Sequence, residues 1–161
     1  MTVSQGPAAP GRGLAAAARR GLVDLARCLR FASRAPFPPL PFDPDPHAAP
    51  DAGSLRLLPL AGAILGTIPA AVLLVASLLG LGPWVSAILA VAALTLATGA
   101  LHEDALADLS DGFWGGRTPA RRLEIMKDSR IGSYGASALV LAYALRIALV
   151  ATLAERLGAG A

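Results

Sequence analysis

The stretch Leu57–Leu101, LLPLAGAILGTIPAAVLLVASLLGLGPWVSAILAVAALTLATGAL, contains no Lys, Arg, Asp, Glu or His. A helix that crosses a bilayer needs about 20 consecutive apolar residues, so this run holds two crossings. Gly80-Leu81-Gly82-Pro83 supplies a tight turn between them. The pattern predicts a first span over 57–79 and a second over 84–101, with Trp84 at the membrane–water interface. Gly62 and Gly66 form a GxxxG spacing, which lets helix backbones approach closely.

Composition agrees with a membrane protein and excludes other classes. Of 161 residues, 55% are hydrophobic and 16% charged, against about 25% charged in an ordinary soluble domain. Too little charge is present to clothe a water-soluble globule, and the mean hydropathy of +0.58 is far from that of a disordered chain. The single cysteine, Cys28, excludes an internal disulfide framework and a cysteine-rich zinc site. Aromatic residues at 5% leave no stacking surface for nucleic acid, and none is expected as a partner. The formal charge of +3 then belongs with the bilayer, as basic flanks of membrane helices.

Upstream, Met1–Gly13 reads as a mobile tail of small residues. Residues 14–34 form an amphipathic helix, with Leu22, Leu25, Leu29 and Ala32 at helical spacing and Arg19, Arg20, Arg27, Arg30 and Arg34 elsewhere. Such a helix lies either at an anionic membrane surface or against the protein itself. Seven prolines between Pro36 and Pro50 forbid a helix interior and make 35–56 a loop. Its Asp43, Asp45, His47 and Asp51 read as solvated charges rather than metal ligands. Downstream, 131–154 is a third span broken only by Arg146. An arginine at mid-bilayer costs about 2.5–3.5 kcal/mol on insertion scales, so Arg146 is expected to face protein or to lie nearer an end. Basic residues cluster before the first span and again after the second, as Arg117, Arg121, Arg122, Lys127 and Arg130. Both clusters fall on one side if two crossings separate them, and the positive-inside tendency makes that side cytoplasmic. The expected fold is an all-α polytopic membrane domain: about three transmembrane helices, the amphipathic helix and a short cytoplasmic helix.

Between the second and third spans lies a polar island, 102–130. Asp104, Asp108 and Asp111 are spaced i, i+4, i+7, within roughly a 60° sector of a helix. Three like charges on one stripe at a membrane mouth need compensation. A bound cation with all-oxygen ligands supplies it, which suits Mg²⁺, Mn²⁺ or Ca²⁺; a solvated helix end is the plain alternative. His102 and Glu103 point away from that stripe. Gly112-Phe113-Trp114-Gly115-Gly116 is expected to end the helix, with Gly115-Gly116 a simple linker. Thr118-Pro119 reads as the N-cap and first residue of a new helix, running to about Asp128. Carboxylates for a metal beside guanidinium groups for phosphate oxygens are the two ingredients of phosphoryl transfer. The same basic residues also suit attraction to anionic lipid.

The whole motif, L-H-E-D-A-L-A-D from Leu101 to Asp108, then Ser110-Asp111-Gly112, Gly115-Gly116, and R-R-L-E-I-M-K-D-S-R-I-G-S-Y-G from Arg121 to Gly135, resembles the signature of the cobalamin synthase family. Leu29-Arg30-Phe31, Arg34, Pro36 and Pro59–Gly66 are similar to its N-terminal pattern. The resemblance implies a multi-pass cell inner-membrane enzyme that needs Mg²⁺. Such an enzyme joins adenosylcobinamide-GDP to α-ribazole, or its 5′-phosphate, and releases GMP. It further implies metal ligation by Asp104, Asp108 and Asp111, and a catalytic role for Asp128 and Asp111, with Asp128 either a fourth ligand or the base. Arg117, Arg121, Arg122, Lys127 and Arg130 are the implied diphosphate contacts. Ala105 departs from the family pattern, which has Gly there, and the chain corresponds to the N-terminal portion of the family fold. A homo-oligomer or a C-terminal half would complete it. The competing readings are an enzyme like the CDP-alcohol phosphatidyltransferases, whose second Asp-x-x-x-Asp pair is missing here, and a non-catalytic truncated membrane fragment.

Overall fold

A computed structural model describes residues 10–158, and its regular elements are all helical. In chain order they are α1 (Pro10–Ala32), a 3₁₀ turn (Ser54–Leu57), α2 (Leu58–Leu78), α3 (Gly82–Thr98), α4 (Leu101–Gly115), α5 (Pro119–Ile125) and α6 (Ser133–Arg156). The tail expected at Met1–Gly13 lies outside the described residues up to position 9, and from Pro10 the chain is already helical. The chain divides into two compact units with the boundary inside α2, Met1–Ala63 and Ile64–Ala161.

In the first unit, α1 packs on the 3₁₀ turn. Cys28 and Ser54 are fully buried there, and the Cys28 thiol donates to the Ser54 carbonyl at 3.2 Å. The Ser54 hydroxyl lies within hydrogen-bond distance of the Asp24 (3.0 Å) and Asp51 (2.7 Å) carboxylates and donates to one of them. Of the loop charges expected to be solvated, Asp45, His47 and Asp51 are exposed and Asp43 is not. Asp43 is buried and bridges Arg27 (2.9 Å) and Arg30 (3.0 Å), one helical turn apart on α1. Burial works against its ionisation, but the hydrogen bonds from Arg27, the Asp45 amide and Arg30 carry its pKa below the usual carboxylate range. A loop with so many prolines cannot form a ladder of its own, so Asp43, tied to two α1 arginines, holds it instead.

Two helical stretches, Ser54–Leu78 and Ser133–Arg156, are long and apolar enough to cross a membrane, and α3 with α4 forms a third candidate bent by 87°. α2 accommodates Pro69 in its interior; a proline there removes one helical hydrogen bond, a defect that membrane helices tolerate. Gly80 and Gly82 both adopt φ of +72°, the left-handed turn that Gly-Leu-Gly-Pro announces.

The bend between α3 and α4 is where the structure departs from a simple hairpin. Gly99 (φ 64°) and Ala100 (φ 59°) are consecutive left-handed residues. The Gly99 amide donates to the Leu96 carbonyl at 3.2 Å and that of Ala100 to Thr95 at 2.9 Å, closing the end of α3. A left-handed alanine costs energy that glycine does not, and the sequence carries no warning of it. The acidic stripe therefore rides on a separate helix that leaves α3 nearly at a right angle.

In the second unit α6 packs on both α3 and α4, and α5 on α4. The Thr95 and Tyr143 hydroxyls approach to 3.3 Å between α3 and α6. α4 continues through Gly112 to Gly115, beyond the break expected at the glycines. Gly112 and Gly116 serve contact rather than flexibility. A Cβ on Gly112 would meet the Met126 Cγ at 2.5 Å, and one on Gly116 would meet the Arg122 Cγ at 2.6 Å and its backbone nitrogen at 2.8 Å. The Arg122 Nε donates to the Gly116 carbonyl at 2.9 Å and its guanidinium lies 4.5 Å from the Phe113 ring centre. These contacts fold α5 back against α4.

Candidate functional site

The 87° bend puts the polar side of α4 opposite the segment that joins α5 to α6. Between them lies a cleft of about 450 Å³, lined on the α4 side by Glu103, Asp104 and Asp108 and on the other by Lys127, Asp128 and Arg130, with Tyr143 of α6 also on its wall. Asp104 is exposed and Asp108 half-buried. Among the described residues neither carboxylate has a hydrogen-bond or ion-pair partner within the protein. Asp104 and Asp108 therefore stand without a counter-charge among those residues, and across the gap from them are Lys127 and the paired Asp128 and Arg130.

Asp111 is placed differently from the other two members of its stripe. It does not line the cleft. It is 8% exposed, and its Oδ2 accepts from the Gly132 amide at 2.7 Å and its Oδ1 from the Gly135 amide at 2.8 Å. Gly132 is the N-cap of α6 and has no side chain to cap with. The first amides of a helix have no partner inside the helix, and a carboxylate there also meets the positive end of the helix dipole. Among the described residues no three His, Cys, Asp or Glu side chains converge as a group that could enclose a metal ion.

Asp128 and Arg130 form a two-pronged pair. The Arg130 Nη2 lies 2.6 Å from Asp128 Oδ2, its Nε donates to the same carboxylate, and its backbone amide donates to Oδ1 at 3.1 Å. The side-chain hydrogen bonds from Arg130, then its amide, hold the Asp128 pKa down to about 2. A group that acidic is fully ionised at neutral pH and weakly basic, far from the match to working pH that favours a general base.

The five cations expected at a diphosphate divide into two groups. Lys127 and Arg130 line the cleft. Arg122 packs on Phe113 and Gly116, Arg121 pairs with Glu124 at 2.7 Å, and Arg117 is exposed at the turn before α5. α5 is shorter than expected, Pro119–Ile125, but starts where Thr118-Pro119 predicts, with the Thr118 hydroxyl accepting from the Arg121 amide at 3.3 Å.

Sequence reading missed one member of the neighbourhood. Glu103, set aside as pointing away from the stripe, is 8% exposed and its Oε1 accepts from the Arg146 Nη1 at 2.8 Å. Arg146, the one charge inside the third apolar stretch, thus faces protein. The principle that a charge in a span needs a counter-charge says that Arg146 has an acidic partner, but with five other acids between Glu103 and Arg146 spacing does not single out Glu103. The other oxygen of Glu103, Oε2, is buried without a partner. Beside the pair is a cavity of about 20 Å³ lined by His102, Tyr143 and Arg146, room for a single water.

Residues 24–161 match the family described as Cobalamin-5-phosphate synthase. Similar relatives named adenosylcobinamide-GDP ribazoletransferase include those of Xanthobacter autotrophicus (50% identical over 136 residues, 84% of this chain and 51% of the relative) and Azorhizobium caulinodans (54% over 132 residues, 81% and 50%). That of Brucella anthropi is 47% identical over 137 residues, 85% of this chain and 52% of the relative. The chain spans about half the length of these curated relatives. No solved structure matches. By the match over most of its length, the chain belongs to the cobalamin-5-phosphate synthase family.

Proposed function

We propose that this chain carries the metal- and diphosphate-binding part of an adenosylcobinamide-GDP ribazoletransferase, an enzyme that joins adenosylcobinamide-GDP to α-ribazole or its 5′-phosphate and releases GMP. The observation that carries the reading is the cleft in which Asp104 and Asp108 face Lys127 and Arg130. The relatives' shared name supplies the substrates.

The donor set suits Mg²⁺. That ion commonly takes one or two carboxylates and fills the rest of its shell with waters and substrate phosphates, and Asp104 and Asp108 are two such carboxylates without a partner among the described residues. Bound there, Mg²⁺ would neutralise charge that develops on the diphosphate oxygens. The protein's own contribution is electrostatic. Lys127 and Arg130 attract and orient the diphosphate, and as fixed cations they stabilise negative charge on the departing GMP phosphate. Arg130 is paired with Asp128 through Nε and Nη2, which sets where its charge stands beside the cleft and leaves Nη1 for a phosphate oxygen. Asp128 thereby acts first as an orienting partner of Arg130. The apolar helices are long enough to cross a membrane, and we infer the inner membrane with the motif segment on its cytoplasmic face, where basic residues flank the spans.

The test is an assay of membranes containing this chain with adenosylcobinamide-GDP, α-ribazole and Mg²⁺, alone and with a separately expressed C-terminal half of a relative. Joined product and equimolar GMP, abolished by Asp108→Asn, support the reading. Product formation that persists undiminished in Asp108→Asn contradicts it.

A further inference from the structure

Asp111 belongs to the acidic stripe by spacing, but its surroundings are those of a structural anchor. Both oxygens receive backbone amides, at 2.7 and 2.8 Å, and the side chain is outside the cleft. The two donors come from glycines, and space rather than backbone conformation is the reason. Gly132 has φ −93°, and neither residue is among the glycines with positive φ. A Cβ on Gly132 would collide with the Asp111 carboxylate, its Cγ lying 2.9 Å away, and one on Gly135 would collide with the same carboxylate and meet the Ala107 carbonyl at 2.9 Å. The start of α6 is therefore pressed onto α4 at Asp111.

We propose that Asp111 is a positioning residue: by capping the N-terminus of α6 it fixes the segment 126–132 and so holds Lys127 and Arg130 across the cleft from Asp104 and Asp108. The proposal rests on the cleft reading above and deepens it, by removing Asp111 from the ligand set and giving it the task of setting the width of the site. The chain from Asp128 to Gly132 is short, so a release at Gly132 and Gly135 is felt directly at Arg130.

The experiment uses the full chain in lipid nanodiscs, ¹⁵N-labelled at glycine. Amide exchange and proton shift are read at Gly132 and Gly135, and Mn²⁺ affinity is read by electron paramagnetic resonance. Both amides are expected to exchange slowly and to resonate downfield, as donors to a carboxylate do. Asp111→Asn is expected to speed their exchange about tenfold or more, Asp111→Glu to restore part of the protection, and Asp108→Asn to leave it unchanged. Gly135→Ala, which keeps every carboxylate but forces the anchor apart, is expected to speed exchange at Gly132 and to change Mn²⁺ affinity by the same factor as Asp111→Asn. The proposal is overturned if Asp111→Asn leaves both amides as protected as in the parent chain. It is also overturned if that variant loses Mn²⁺ affinity about tenfold more than Gly135→Ala does, the mark of a direct ligand. A parent chain that binds no Mn²⁺ would defeat the metal reading, while the exchange data would still decide the role of Asp111.

Discussion

Asp108 and Asp111 stand less than one turn apart on the same helix, yet they have opposite surroundings. Asp108 opens onto a cleft with cations on its far wall and has no protein partner among the described residues. Asp111 is buried, and both its oxygens are taken up by the first amides of α6. Spacing on a helix places groups on a face, and what packs against each point of that face then decides what each group can do. At one end of the stripe α4 looks out on the cleft; at the other it is covered by α6 and, through Gly112 and Gly116, by α5. One helix thus carries both a cleft-facing carboxylate without a protein partner among the described residues and a buried, anchored one.

The largest effect expected from disturbing this contrast lies beside it, at the Glu103–Arg146 pair. Arg146→Leu leaves the buried Glu103 carboxylate without its counter-charge and should lower the thermal midpoint in detergent. The double change Glu103→Leu with Arg146→Leu should recover most of the loss; a double variant no more stable than the single one would remove the pair from the account. Next comes Asp108→Asn, expected to lower transfer by about 10²-fold or more while leaving membrane insertion and melting unchanged, the scale of losing one well-placed electrostatic group. Gly135→Ala tests the anchored end. Overpacking of this kind costs about 1–3 kcal/mol, read as a lower melting midpoint, and the same substitution at Gly62, where a Cβ meets nothing within 4 Å, should leave it unchanged.

Two smaller effects sharpen the picture of the opposite wall. Thr118→Ala removes the cap of α5 and should cost about 1 kcal/mol, seen as faster amide exchange at Arg121. The Asp128 carboxyl should titrate at about 2, and Arg130→Gln should return it toward the ordinary value of about 3.9. The sign follows from the depressed native pKa: the Asp128–Arg130 pair favours the folded state above about pH 4, and that contribution is lost as the pH falls toward 2. An unshifted Asp128 in the parent chain would mean that Arg130 is free to swing.

Much of this arrangement was legible in the sequence, and the reasons are physical. The uncharged run from Leu57 to Leu101 and the Gly-Leu-Gly-Pro turn are local signals, and α2, α3 and their turn follow them closely. The Thr118-Pro119 start of α5 is equally local. The bend at Gly99-Ala100 was not legible, because a left-handed alanine is imposed by packing and not by propensity. The same holds for the division of the acidic stripe. Periodicity brings Asp104, Asp108 and Asp111 to one face, but only the return of the chain at Gly132, 21 positions further on, takes Asp111 away from the other two. Asp43 and Glu103 were undervalued for a related reason: each looks like a surface acid until the arginines that neutralise it arrive from another element. The match over residues 24–161 places the motif within a known family, and the structure separates its cleft-facing Asp104 and Asp108 from the buried Asp111.

The account stands on the claim that Asp104 and Asp108 form the open, cation-binding end of α4. The most direct measurement is Mn²⁺ titration of the full chain in nanodiscs by electron paramagnetic resonance, comparing the parent with the double variant Asp104→Asn, Asp108→Asn and with Glu124→Gln as a control from outside the cleft. The account predicts one saturable site in the parent and in Glu124→Gln, competed by Mg²⁺, and its disappearance in the double variant. Saturable binding of equal affinity in the double variant would contradict it.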